Sequence, residues 1–317
     1  MPDSSAMTEM NLGPGTEFDL IRQMRERWGA LAVDIGDDAS VVRVPRGEQM
    51  VVSTDAAIEN VHFRREWLSL REIGYRAVTA ALSDLAAMAA SPKGVLVSLE
   101  LSPDSVDGLL DLADGIGDAV NAASTVVLGG NLVRGDVLAI TTTVVGSAYT
   151  PLTRAGARPG DLLYVTGSLG GPGAALTALR SKKTLATELR ARFAHPVARI
   201  PEARWLVVRG AIAAIDVSDG LAGDAGHLAA ASDVGIEIQA ERVPRFPGAT
   251  QDDALAGGEE YELLVVARAP FPEAEFATRF GVSLTAIGRV VEGPQAVRFM
   301  RDGKRVAAPT GYDHFSR

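Results

Sequence analysis

A chain of 317 residues, 47% hydrophobic and 22% charged, has the composition of a soluble globular protein and the length of about two domains. It contains no cysteine, which excludes disulfides, thiolate metal sites and a cysteine nucleophile. A formal net charge of −9, 5% aromatic residues and no cluster of Lys or Arg argue against a nucleic-acid partner, and apolar runs broken by Asp, Arg or Gly leave no expected membrane span.

Residues 1–16 are polar and carry Gly and Pro without the apolar core of a secretory signal, so a flexible tail on a cytoplasmic protein is expected. An amphipathic segment, Glu17 to Trp28, opens the ordered part. Two β-branched runs follow, Ala39–Val44 and Met50–Thr54, divided by a Pro-Arg-Gly turn. From about Leu70 to Ala90, Ile73, Ala77, Ala80, Ala81 and Leu85 recur at helical spacing. Gly94–Leu101 reads as a strand and Ser105–Ala123 as a helix, with further strands at Thr125–Leu128 and Val137–Ser147. Pro151–Gly160 is the expected domain junction. Beyond it come a strand at Asp161–Thr166, a Gly-rich turn, helices to Arg209 and a short strand ending at Asp216. A helix from Leu221 and strands near Ile236, Tyr261–Val266, Leu284–Val290 and Val297–Met300 complete the pattern, with a hairpin turn at Arg301–Lys304. Strands and helices mix without steady alternation, which favours two α+β domains, over 17–150 and 151–317, rather than one doubly wound sheet.

The chemistry is expected where acidic residues meet the ends of these elements. Asp38 precedes the first run, Asp55 ends the second, Asp84 lies in an otherwise apolar helix, and Asp216 ends an apolar strand. A carboxylate in apolar surroundings is costly unless paired or bound to a metal, and several converging carboxylates suit a magnesium ion shared with phosphates. Gly129-Gly130-Asn131 reads as a Gly-rich turn that lets backbone approach a phosphate while Asn131 offers a carbonyl to the metal. Gly167–Gly173 lacks the glycine spacing of a dinucleotide loop, and neither a Walker loop nor the protein-kinase motifs are present. No histidine pairs with a nucleophilic serine. That suits a phosphate acceptor, which is already anionic because its second pKa is about 6, and which needs alignment and charge neutralisation rather than a base.

Ile35-Gly36-Asp37-Asp38-Ala39, Ser53-Thr54-Asp55, Asn60-Val61-His62-Phe63, Leu82–Met88, Asp216-Val217-Ser218-Asp219-Gly220-Leu221, Gly257-Gly258-Glu259 and Gly311–Phe315 resemble, in this order, thiamine-monophosphate kinase of the aminoimidazole ribonucleotide synthetase-like superfamily. The resemblance implies an N-terminal domain that dimerises, a C-terminal domain with an ATP cleft between the two, several Mg²⁺ ions, and direct transfer of the γ-phosphate to thiamine monophosphate. Carried over residue by residue, Asp38, Thr54, Asp55, Asp84, Asp216 and Asp219 become metal ligands, with Asp55, Asp84 and Asp216 central to catalysis. Gly130, Asn131, Arg154 and Ser218 fall to ATP, and His62, Glu259 and Tyr312 to thiamine phosphate. Asn131 stands where the family usually has Asp, and Glu260 where Gly-Gly-Glu-Asp-Tyr is usual. The alternatives are an ATP-dependent ligase of the aminoimidazole ribonucleotide synthetase type and a nucleotide-binding regulator without turnover.

Overall fold

The computed structural model describes residues 15–33, 35–36 and 38–307, so most of the expected tail, Asp37, the Gly311–Phe315 motif and Tyr312 lie outside the described residues. The chain divides into two compact units: residues up to Ala81 with Pro92–Ser147, and Leu82–Ser91 with the chain from Ala148 onward.

The first unit contains α1 (Thr16–Trp28), β1 (Gln49–Ile58), most of α2 (Leu70–Ala87), β2 (Ser91–Leu101), α3 (Leu109–Ala122), β3 (Val127–Arg134) and β4 (Ala139–Ala148). The strands form one sheet in the order β1-β4-β2-β3, so β1 and β3 are its edges. Helix α2 starts at a capping box: the Glu72 carboxylate accepts the Ser69 N–H at 2.8 Å and the Ser69 hydroxyl accepts the Glu72 N–H at 3.3 Å. Its residues Ile73, Ala77, Val78, Ala81, Leu82 and Leu85 recur every three or four positions and are all buried. Trp28 anchors α1 by donating from Nε1 to the Ala113 carbonyl of α3 at 2.8 Å.

Two expectations change here. Ala39–Val44 forms no strand; Val41 is 79% exposed, so the alternation there has no core face to bury. Gly129-Gly130-Asn131 is not a turn but the middle of β3, which runs parallel to β2 with Gly130 opposite Val97 and Asn131 opposite Ser98. A Cβ on Gly130 would stand 1.8 Å from the Val97 carbonyl oxygen, so close approach of the two strands requires glycine at this position.

The second unit adds β5 (Leu162–Thr166), α4 (Gly171–Arg180), α5 (Thr187–Ala194), α6 (Ile200–Val208), β6 (Ala211–Asp216), α7 (Leu221–Ser232), β7 (Gly235–Gln239), α8 (Gln251–Ala256), β8 (Leu263–Ala267), α9 (Glu273–Phe280), β9 (Leu284–Val291), β10 (Val297–Arg301) and β11 (Lys304–Val306). Seven strands form one mixed sheet in the order β11-β10-β7-β9-β5-β8-β6. All five residues of β8 are buried, as expected for a strand covered on both faces. Leu163, Val165, Ile215, Leu264, Val266 and Phe299 share one core with Leu221, Ala225 and Leu228 of α7. A leucine buried as completely as Leu228 contributes roughly 1.5–3 kcal/mol. Tyr164, the β5 residue between Leu163 and Val165, points to the other face and meets Phe271 edge-on at 5.0 Å. The strand expected from Tyr261 begins at Leu263, which leaves residues 257–262 as a loop.

Candidate active site

In the first unit the expected site residues stand in or beside the sheet. Thr54 and Asp55 lie on β1, both exposed; the Thr54 hydroxyl meets that of Thr143 on β4 at 3.1 Å, and the Asp55 carboxylate accepts the Ala56 N–H at 2.8 Å. Asp38 is exposed and sits two residues before Ser40, whose hydroxyl bonds to the Leu128 carbonyl at the head of β3. Gly130 and Asn131 are exposed on β3. The sheet therefore brings Thr54 to Thr143 but holds Asp55 and Asn131 on opposite edge strands with two strands between them, three spacings or roughly 14 Å at ~4.8 Å each.

His62 occupies a tight loop after β1. Asn60 takes a left-handed conformation (φ 66°), its N–H reaches the Phe63 carbonyl at 2.8 Å, and the Ile58 N–H donates to His62 Nδ1 at 3.1 Å. That bond makes Nδ1 an acceptor and so puts the proton of a neutral ring on Nε2. The base of the loop is clamped by Arg65, which donates to both carboxylate oxygens of Glu59 at 2.7 and 2.9 Å. The Arg65 hydrogen bond is the main reason the Glu59 carboxyl lies below its ordinary range.

The second unit gathers its acidic residues more tightly. Asp84, expected with the N-terminal carboxylates, lies in the stretch Leu82–Ser91 that belongs to this unit. Ser83 beside it is fully buried and donates to Asp216 Oδ2 at 2.7 Å; Asp216, at the end of β6, is 4% exposed. Burial first, and then the charge of Asp84, pushes the Asp216 carboxyl up to about 6, while the Ser83 hydroxyl draws it down. Asp224, which the sequence reading passed over, is 1% exposed in the first turn of α7 and accepts the Ser218 and Asp219 N–H groups at 3.0 Å each. Burial, followed by the charges of Asp216 and Asp219, pushes it up to about 7. Asp219, Asp224 and the exposed His227 each offer a ligand atom within 4.8 Å of the others. The sequence offers no signal for this group beyond Asp and His near a helix start, a common pattern. These neighbours supply oxygen and a single imidazole, with no sulfur, a donor set for a hard divalent cation.

The loop 257–262 is stitched to the chain following β6. Glu259 N–H donates to the Ser218 carbonyl at 2.7 Å, Glu260 and Tyr261 N–H both reach the Val217 carbonyl at 3.1 and 2.9 Å, and Val217 N–H returns to Glu262 O at 2.8 Å. A Cβ on Gly258 would lie 2.6 Å from the Ser218 carbonyl oxygen, so this approach too needs glycine. Glu259 and Tyr261 are left-handed, at φ 60° and 54°, an arrangement that costs of order 1–3 kcal/mol each and persists only when its surroundings fix it. The expected acceptor residue Glu259 and the expected nucleotide residue Ser218 are thus brought together. Arg154 is exposed, its carbonyl accepting from the Ser232 hydroxyl at 3.0 Å.

Below the loop lies a buried ionic network absent from the sequence reading. Arg199 donates to both oxygens of Glu262 at 2.8 and 2.6 Å, Thr166 donates to Glu262 at 2.6 Å, and Arg192 reaches Glu262 at 3.0 Å and Glu260 at 3.3 Å. Arg199 and Arg192 outweigh burial and hold Glu262 low. For Glu260 burial prevails over Arg192 and the Gly170 N–H, and the carboxyl rises to about 8.

Residues 36–148 match the family model of the AIR synthase related protein N-terminal domain, and residues 158–300 that of its C-terminal domain. Over 95% of its length the chain is 33% identical to the thiamine-monophosphate kinase of Escherichia coli O157:H7, 98% of which is covered. The crystal structure of thiamine-monophosphate kinase from Stenotrophomonas maltophilia K279a superposes with a TM-score of 0.80 at 32% identity, covering 92% of this chain and 98% of that one. The structure of AaThiL complexed with AMPPCP and TMP gives a TM-score of 0.74, also at 32% identity, covering 94% and 97%. Among the described residues no helix is long and apolar enough to cross a membrane.

Proposed function

We propose that this chain, which belongs to the thiamine-monophosphate kinase family, transfers the γ-phosphate of ATP to thiamine monophosphate, giving thiamine diphosphate and ADP. The observation that carries the chemistry is the buried Asp216 beside Ser83 and Asp84, a concentration of carboxylate charge whose repulsion a divalent cation would relieve. Asp38, Thr54, Asp55 and Asn131 of the first unit and Asp84, Asp216 and Asp219 of the second are the proposed magnesium residues. These residues would hold magnesium, which would supply charge neutralisation for the polyphosphate.

The chain's own groups do the rest. Gly130, Arg154 and Ser218 hold the nucleotide, and His62, Glu259 and Tyr312 hold the acceptor. An oxygen of the acceptor phosphate forms a bond to the γ-phosphorus while the bond from that phosphorus to the β,γ-bridging oxygen breaks. The acceptor enters as a dianion over much of the working range, since its second pKa is about 6, so no residue is assigned as general base. A cytoplasmic location belongs to this reading as well, supported by ATP as the donor. A homodimer through the first unit is part of the same reading, supported by edge strand β1, which exposes Met50 (60%) and Val52 (53%).

The test is turnover. Purified protein with thiamine monophosphate, ATP and Mg²⁺ should yield thiamine diphosphate and ADP in equal amounts by phosphorus NMR. Binding of ATP without turnover would favour a regulator, and ATP turnover only with an unrelated acceptor would favour a ligase; either outcome sinks the proposal.

A further inference from the structure

The loop carrying Glu259 is held by backbone bonds to Val217 and Ser218 and, on its buried side, by Glu262 at its end and by Glu260 next to Glu259. Glu260 is fully buried between the two left-handed residues Glu259 and Tyr261. Its carboxylate accepts the N–H of Gly170 in the Gly-rich turn after β5 and faces Arg192 Nη2 of α5 at 3.3 Å, while its own carbonyl accepts from the same Nη2 at 3.0 Å. A rotation at Glu260 would therefore break contacts to α5 and to the Gly-rich turn together, and would swing the next side chain along, Glu259. The N–H groups of Glu259 and Tyr261 on either side are tied to Ser218 and Val217, so slack at Glu260 is expressed in the direction of the Glu259 side chain rather than in release of the loop.

We propose that Glu260, pinned by Arg192 and the Gly170 N–H, is a positioning residue that sets the place of Glu259 toward the acceptor phosphate. The inference rests on the acceptor role given to Glu259 above. Glu260 touches no substrate; it acts through its neighbour. It governs acceptor binding more than nucleotide binding, because Ser218, whose carbonyl accepts the Glu259 N–H, is also held by its own N–H on the Asp224 carboxylate.

Glu260→Gln is the direct probe. Assayed at pH 9, where Glu260 is ionised, it keeps the volume and one acceptor but sets an amide donor against either Arg192 or the Gly170 N–H. KM for thiamine monophosphate should rise about tenfold, equivalent to ~1.4 kcal/mol, while kcat and KM for ATP stay within about twofold. Arg192→Met, which preserves the apolar stem and removes the donors, should show the same split and serves alone if Glu260→Gln does not fold. Unchanged acceptor KM in a folded variant overturns the proposal, and so does a parallel change in kcat and both KM values accompanied by lower Tm, the mark of a structural role only. Backbone amide exchange at Glu259, Glu260 and Tyr261 is measured on the same samples. If the wild type makes no thiamine diphosphate, the kinase reading has failed; faster exchange at these amides in the variants then still sustains the pin, and unaltered exchange removes it.

Discussion

The two units carry their acidic residues in opposite ways. In the first, Asp38 and Asp55 stand in water at the surface of a four-stranded sheet. In the second, Asp216 and Asp224 are buried at the end of β6 and the start of α7, and each is pushed up into the range where carboxyls are neutral below about pH 6 or 7. Exposed carboxylates lose solvation only when a ligand arrives; buried ones already lack it in the empty protein. In the proposed magnesium role the first set would bind at no expense to folding, whereas the second would trade stability of the unliganded chain for strength of attraction to a cation.

Paired substitutions give the widest separation. Asp55→Asn and Asp216→Asn should each lower the rate on the order of 10²–10³-fold through loss of charge near the transferred phosphate. Their stabilities should part: Asp55→Asn stays within about 0.5 kcal/mol of wild type, as exposed sites do. Asp216→Asn should be stabilised by about 1–2 kcal/mol at pH 8 without metal, because a neutral amide of the same size still receives the Ser83 hydroxyl. Equal stabilities in urea melts would erase the distinction between the units.

A smaller effect follows from pH. Asp216, Asp224 and Glu260 have native pKa values of about 6, 7 and 8, above their ordinary values of 3.8, 3.8 and 4.5, so the native state retains protons that the unfolded chain has released. Metal-free stability is therefore greatest on the acid side and falls as pH rises from about 4 to about 8, each group contributing up to about 1.4 kcal/mol per pH unit within its window. Mg²⁺ should raise Tm more at pH 8 than at pH 5, where protons compete for the same oxygens. A Tm that rises across this interval without metal would contradict the burial argument.

Much of this was legible in the sequence. Asp84 and Asp216 stood out because polar residues interrupt apolar helical and strand patterns, and Ser83, next to the first of them, bonds to the second. Asp224 was hidden because Asp in the first turn of a helix is ordinary, and only burial distinguishes it. The Arg192–Glu260–Glu262–Arg199 network joins residues up to 70 positions apart and leaves no local periodicity to read. Gly129-Gly130 looked like a turn because glycine usually ends strands; here it permits one strand to approach another. Ala39–Val44 has strand-like alternation but no partner strand, and alternation alone does not create a ladder.

The smallest predicted effect concerns Asn131 on β3, where the first unit lacks the acid usual in the family. Asn131→Asp should lower the Mg²⁺ concentration for half-maximal rate by about two- to tenfold, since a carboxylate attracts the ion more strongly than an amide oxygen. An unchanged magnesium titration would retire Asn131 as a metal residue and leave the first unit with Asp38, Thr54 and Asp55.

The residue before it has a different future. Any codon change that replaces Gly130 places an atom 1.8 Å from the Val97 oxygen, so an inherited variant there must displace the neighbouring strand before its effect on nucleotide can matter. A side chain at Gly130 therefore acts first on whether the chain assembles its sheet, whatever substrate the site would take.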